Sequence, residues 1–60
     1  MIRVGSRVTT PQGKGTVVVL EYPFVTNGQH VIGLGVNLDD DRHVGFTFPF
    51  LLGEVGEIDD

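Results

Sequence analysis

The sequence contains no cysteine, so neither a disulfide nor a thiolate metal site can hold the fold together. It has only two histidines, and a structural zinc site is not expected either. We therefore predict no cofactor and no metal. Sixty residues allow one domain, 1–60, whose small core carries the fold unaided or with help from an oligomer or a partner.

Long hydrophobic runs and helical periodicity are also lacking. No apolar run approaches the ~18 residues of a membrane-spanning helix, and no such stretch follows Met1-Ile2-Arg3 as it would in a signal peptide. We expect a cytoplasmic protein with no membrane partner. Short segments that alternate apolar and polar residues between turns predict an all-β protein, which at this length is a small barrel.

Positive charge is scarce, since four Lys and Arg stand against eight Asp and Glu and leave a net charge of −4. The first half of the chain holds most of the basic residues, and the second half holds most of the acidic ones. Nucleic-acid phosphates repel an acidic protein, so only the first half offers a weakly basic face.

The first half predicts two strands around a glycine-rich turn. A loose alternation from Val4 ends at Pro11, which has no N–H for a sheet. The turn 12–15 follows, and 16–22 is the strongest strand pattern because it is rich in β-branched residues. We predict that Gly15, at the entry to this strand, occupies a position that a side chain would strain.

The second half predicts a hairpin at Asn27-Gly28, followed by a strand over 29–38. A strand over 43–48, a 3₁₀ turn over 50–52 and a last strand over 54–58 complete the prediction. Gly33 and Gly35 leave room for a neighbouring side chain or backbone, or for strong curvature. The predicted core consists of Val8, Val17, Val19, Ile32, Leu34, Val36, Val44, Phe46 and Leu51.

Three runs carry a family resemblance: Val4-Gly5-Ser6-Arg7-Val8, Gly13-Lys14-Gly15-Thr16-Val17-Val18 and Gly35-Val36-Asn37-Leu38-Asp39. Together they resemble SH3-like and Tudor-like barrels, in particular the Tudor-like domain at the C-terminus of bacterial repair helicases. More weakly, they resemble CAP-Gly domains. The resemblance implies a small five-stranded SH3-like (Tudor-like) barrel with one short 3₁₀ turn, used as a docking module.

The CAP-Gly likeness fails where that family binds its peptides. Its Lys-Asn-Asp-Gly groove signature should follow Asp39, and Asp40-Asp41-Arg42-His43 stands there instead. Recognition of acidic-aromatic C-terminal peptides is therefore not carried over to this chain.

No catalytic constellation stands out. The run 13–16 lacks the first glycine and the following helix of a phosphate loop, and a β-turn explains it better. The three aspartates at 39–41 are adjacent rather than alternate, which is typical of a solvated turn and not of a calcium loop. His30 and His43 have no predicted nucleophile beside them, and Ser6 is a lone serine. We predict no enzyme and no catalytic residue.

Five residues are the candidates for partner binding: Arg7, Lys14, Tyr22, Phe24 and Phe50. The three aromatic residues flank prolines and form either a shallow recognition surface or a satellite core. The two basic residues either contact an acidic partner or a nucleic-acid backbone, or are simply solvated.

We therefore predict a non-enzymatic adaptor module that docks on a protein partner of a nucleic-acid-processing machine, or self-associates as a homodimer. The alternative is a small barrel that binds nucleic acid directly through Arg3, Arg7 and Lys14. A third hypothesis, an enzyme whose site forms only on oligomerisation, has no titratable cluster to support it.

Overall fold

The computed structural model describes residues 1–40, 42 and 45–58. Its strands are β1 (Arg7–Thr10), β2 (Gly13–Thr26), β3 (Gln29–Leu38), β4 (Phe48–Phe50) and β5 (Gly56–Glu57). They form one antiparallel sheet in the order β4-β3-β2-β1-β5, and a 3₁₀ turn (Leu52–Glu54) connects the two edge strands. This arrangement confirms the predicted class, a small five-stranded all-β, barrel-like fold with one short 3₁₀ turn.

Two turns follow from the sequence as expected. Asn27 and Gly28 have φ angles of 52° and 76°, the left-handed values that a two-residue type I′ hairpin requires, and they join β2 to β3. The first turn is tighter than predicted, since β1 already pairs with β2 at Thr10 and Gly13. Gly13 adopts a φ of 126° there, and the Thr10 hydroxyl donates a hydrogen bond to its carbonyl at 2.7 Å.

β2 contains two bulges, between Val17 and Val19 and between Val19 and Tyr22. Each inserts one extra residue opposite β3 and reverses which side chains point to which face. Val17 therefore lies against Val36 in the core, whereas Val19 lies against Gly35 on the other face. The sequence pattern had placed both valines on one face.

The core lies between the two ends of the curved sheet. Among the described residues, six side chains are buried: Val8, Val17, Leu34, Val36, Leu38 and Phe50. Four of them were predicted, and Leu38 and Phe50 are additions. The predictions for Ile32 and Phe46 are wrong, since these side chains are 69% and 62% exposed. Val19 and Leu51 are half-buried, and Val44 lies outside the described residues.

The last third of the chain differs most from expectation. Pro49 was expected to end a strand over 43–48, yet it lies inside β4 and pairs with Gly35. β4 is an edge strand, where a missing N–H is tolerated because no further strand needs it. Of the predicted strand, residues 43 and 44 lie outside the described part of the chain. The 3₁₀ turn lies two residues later than predicted.

Candidate functional site

The hairpin formed by β2 and β3 extends beyond the rest of the sheet. β1 pairs with β2 only as far as Thr16, and β4 pairs with β3 only from Leu34 to Val36. In the described part of the chain, residues 22–33 therefore form a two-stranded ribbon with no third strand on either edge. We call this ribbon the hairpin arm.

One face of the hairpin arm continues the core face of the sheet. Along β3, His30 and Ile32 alternate in phase with the buried Leu34, and the register places Pro23 and Val25 opposite them. We call these four residues the exposed strip. Val25 is 59% exposed and Ile32 69% exposed, and both lie beyond the ends of the pairing with β1 and β4.

The exposed strip lines an open groove of about 650 Å³. The residues around the groove are Pro23, Phe24, Val25, His30, Val31 and Ile32. The histidine is the one titratable group among them, so the groove is almost wholly apolar. It lacks the convergent polar groups that fix a small polar ligand, and its shape suits an apolar surface or segment.

The opposite face of the arm is packed by its own aromatic residues. A Cβ added to Gly35 would meet the Tyr22 ring at 2.7 Å, and one added to Gly33 would meet the Phe24 ring at 2.8 Å. Both rings lie diagonally across the strand pair, over glycines that make room for them. The half-buried Tyr22 and Phe24 therefore form the satellite cluster that the sequence left open as one alternative.

Further along the sheet, the same face carries an ion pair between Arg7 and Asp39. Arg7 Nη1 donates to Asp39 Oδ1 at 2.8 Å and to Thr16 Oγ1 at 2.7 Å, while Nη2 pairs with Asp39 Oδ2. The Arg7 hydrogen bond, helped by the charges of Arg7 and Lys14, lowers the pKa of Asp39 below its ordinary value. The Arg7 charge is thus already matched by a carboxylate, which weakens its case as a nucleic-acid contact.

The five predicted partner-binding residues do not form one surface. Arg7, Lys14, Tyr22 and Phe24 share a face by register, with Lys14 exposed beside β1. Phe50 does not join them. Its pairing with Leu34 turns it into the core, where it is 7% exposed. The sequence analysis also missed the exposed strip, although its signal was present as a run from 22 to 38 without Asp, Glu, Lys or Arg.

The other polar candidates are engaged locally. Ser6 Oγ accepts a hydrogen bond from the Arg3 N–H at 2.9 Å, as in a turn. Asp39 pairs with Arg7, and Asp40 pairs with Arg42 at 3.0 Å. Asp41 and His43 lie outside the described residues. Within the described ranges, no three His, Asp or Glu side chains are grouped to hold a metal ion.

Comparison with known proteins gives no assignment. No protein-family model, curated protein or solved structure matches the chain. Among the residues that the structure describes, no helix is long and apolar enough to cross a membrane.

Proposed function

We propose that this chain is a non-enzymatic binding module that docks on a protein through the exposed strip of its hairpin arm. The observation that carries the proposal is that Val25 and Ile32 remain exposed on a face that is otherwise core. Exposed apolar patches and unpaired strand edges are unfavourable in water unless something covers them. A protein surface can cover an apolar strip and strand edges together, whereas nucleic acid offers mainly phosphate and sugar.

The resemblance to helicase-type Tudor-like domains favours the same class of function, because those domains serve as docking modules. It also favours a component of a nucleic-acid-processing machine as the partner. The arm differs from the surface expected at first, which combined Tyr22, Phe24 and Phe50. The proposed contact lies on the reverse side of the arm, where Pro23, Val25 and Ile32 are exposed.

Affinity capture with matched variants tests this function. The wild-type chain, Val25→Asp and Val4→Asp are immobilised, incubated with a lysate of the source cells and analysed by mass spectrometry. Val4 is the control because it is the same residue type with the same exposure, 59%, but lies in the turn before β1.

We expect wild type and Val4→Asp to retain a common specific protein, which Val25→Asp releases because it places a carboxylate in an apolar contact. Binding of the retained protein, once purified, should show the same order of affinities. Identical protein sets on all three variants would contradict docking through the exposed strip.

A further inference from the structure

We infer that the protein covering the exposed strip is a second copy of this chain, with two hairpin arms packed face to face across a two-fold axis. This inference rests on the proposed function and names its partner. Two-fold contacts use the same patch on both subunits and are the commonest oligomeric interfaces. Three of the four residues of the exposed strip are apolar and the fourth is His30, so the strip carries no carboxylate or Lys or Arg that would oppose a second copy of itself.

The exposed strip lies on the same face of β3 as the core. On β3, the side chains of Leu38, Val36 and Leu34 are 5%, 0% and 5% exposed, and the next residue on that face, Ile32, is 69% exposed. The face does not change in chemistry at this point. What ends here is the neighbouring strand, since β4 pairs no further than Leu34. A second strip of the same composition would extend the core without a break, at the ~10 Å spacing of stacked sheets.

The distribution of charge along the chain favours contact between two hairpin arms. The chain carries a net charge of −4, so two copies repel each other through most of their surfaces. The whole run from 22 to 38 has no Asp, Glu, Lys or Arg. Two arms can therefore meet without burying a carboxylate or bringing two carboxylates together. A strongly charged heterologous partner would find no complementary charge on this strip.

The small core also favours association, because it gives the single chain little stability of its own. Of the six buried side chains, only Val8, Val17 and Val36 are fully buried. Domains below about 70–80 residues gain extra stability from disulfides, metals or oligomerisation. The sequence has no cysteine, and in the described ranges no three His, Asp or Glu side chains lie together as metal ligands would. Of these three devices, association with its own copy is the one that this surface supports.

The expected dimer is weak. A twelve-residue arm provides fewer contacts than the roughly 20–30 residues per side of a standard interface. Its dissociation constant should accordingly lie on the order of micromolar rather than nanomolar. Association must therefore be measured across a wide concentration range.

Sedimentation equilibrium of the full chain, from about 1 to 500 μM, tests the inference in the micromolar regime. We expect wild type and Val4→Asp to pass from monomer to dimer. Val25→Asp should weaken association by more than about tenfold, because it places carboxylates near each other across the two-fold axis. Ile32→Thr, a milder change on the same strip, should weaken association less while keeping the strand pattern.

A measurement on the unaltered chain guards against variants that fail to fold. Amide NMR spectra of the wild type should show concentration-dependent shifts at Val25, His30 and Ile32, and none at Val4. Shifts confined to another surface would overturn the inference, as would a dimer that Val25→Asp and Ile32→Thr leave unchanged.

The same experiment separates this inference from the proposed function. The wild-type chain could stay monomeric at all concentrations and yet retain a different protein in the capture assay through Val25. That result would overturn the homodimer but support docking on another protein through the exposed strip. A monomer with no Val25-dependent capture ends both proposals. A dimer that is lost in Val25→Asp supports both.

Discussion

At the scale of single residues, close contacts with neighbouring atoms explain Gly15, Gly33 and Gly35, whereas turn geometry explains Gly13 and Gly28. Gly15 was predicted to resist a side chain, and the structure shows why. A Cβ there would lie 2.5 Å from the Asn37 carbonyl oxygen and 2.7 Å from a Val36 methyl group. Gly15 does not adopt a left-handed φ. The constraint is steric and arises between strands.

Gly15→Ala should therefore destabilise the fold by about 1–3 kcal/mol, the usual cost of overpacking a close contact. The backbone oxygen of Asn37 cannot move aside without disturbing the pairing of β2 with β3. Urea denaturation measures the change in free energy of unfolding. Gly53→Ala is the control, because a Cβ at Gly53 has no neighbour within 4 Å. Equal stabilities for the two variants would refute the close contact.

Gly33 and Gly35 of β3 show the same effect where the hairpin arm joins the rest of the sheet. The sequence predicted room beside them for a side chain or backbone, and Tyr22, Phe24 and the Phe50 carbonyl occupy that room. From the sequence, Tyr22 and Phe24 were expected either in a shallow recognition surface or in a satellite core. Both are half-buried, with their rings beside the glycines of β3.

At the scale of elements, β3 shows how far a core extends along a strand. Its alternation correctly placed Ile32, Leu34, Val36 and Leu38 on one face. Burial then divides that face: β4 pairs with β3 only from Leu34 to Val36, and Ile32, beyond the end of this pairing, is 69% exposed. The faces of β2 were harder to predict, since two bulges shift its alternation and nothing in a valine-rich run marks them.

The two ends of this face should respond differently to the same kind of truncation. Leu34→Ala should cost on the order of 2–5 kcal/mol, since it leaves a cavity in a small core. Ile32→Ala should cost about 0.5 kcal/mol or less in the monomer, as exposed positions do. Thermal and urea unfolding at low protein concentration compare them. A Leu34→Ala variant as stable as Ile32→Ala would show that the covered part of the strand is misassigned.

At the scale of the whole molecule, the sheet brings together residues that are far apart in sequence. The Arg7 and Asp39 side chains are 32 positions apart, and their ion pair crosses β2 to join β1 to the end of β3. From the sequence alone, Arg7 was a candidate partner contact or a solvated charge, and Asp39 belonged to a solvated turn. Their pairing depends on the register of three strands and could not be read from either residue alone.

This pair predicts a pH dependence of stability. The Arg7 hydrogen bond lowers the pKa of Asp39 in the folded chain, so the unfolded chain binds this proton more tightly. The pair therefore stabilises the fold fully above the ordinary carboxyl pKa of about 4, and this stabilisation is lost as the pH falls through the lowered value.

Urea unfolding of wild type and Asp39→Asn, between about pH 7 and pH 2, measures the effect across the carboxyl range. The variant should be slightly less stable at neutral pH, because an exposed pair contributes little, and the difference should vanish at the acid end. Glu21→Gln, which removes an exposed carboxylate with no ion pair to the described residues, serves as control. A difference that persists unchanged at low pH would contradict the ion pair.

Local patterns in the sequence predict the all-β class, the Asn27-Gly28 hairpin and the phase of β3, because these depend on local backbone preferences and on a period of two. The absence of Asp, Glu, Lys and Arg from 22 to 38 can likewise be read directly from the chain. Strand pairing, by contrast, is needed to see that Phe50 is buried, that the rings of Tyr22 and Phe24 lie beside glycines, and that Ile32 is exposed. Alternation shows which side chains share a face. Whether that face is covered depends on how far the neighbouring strands extend beside it.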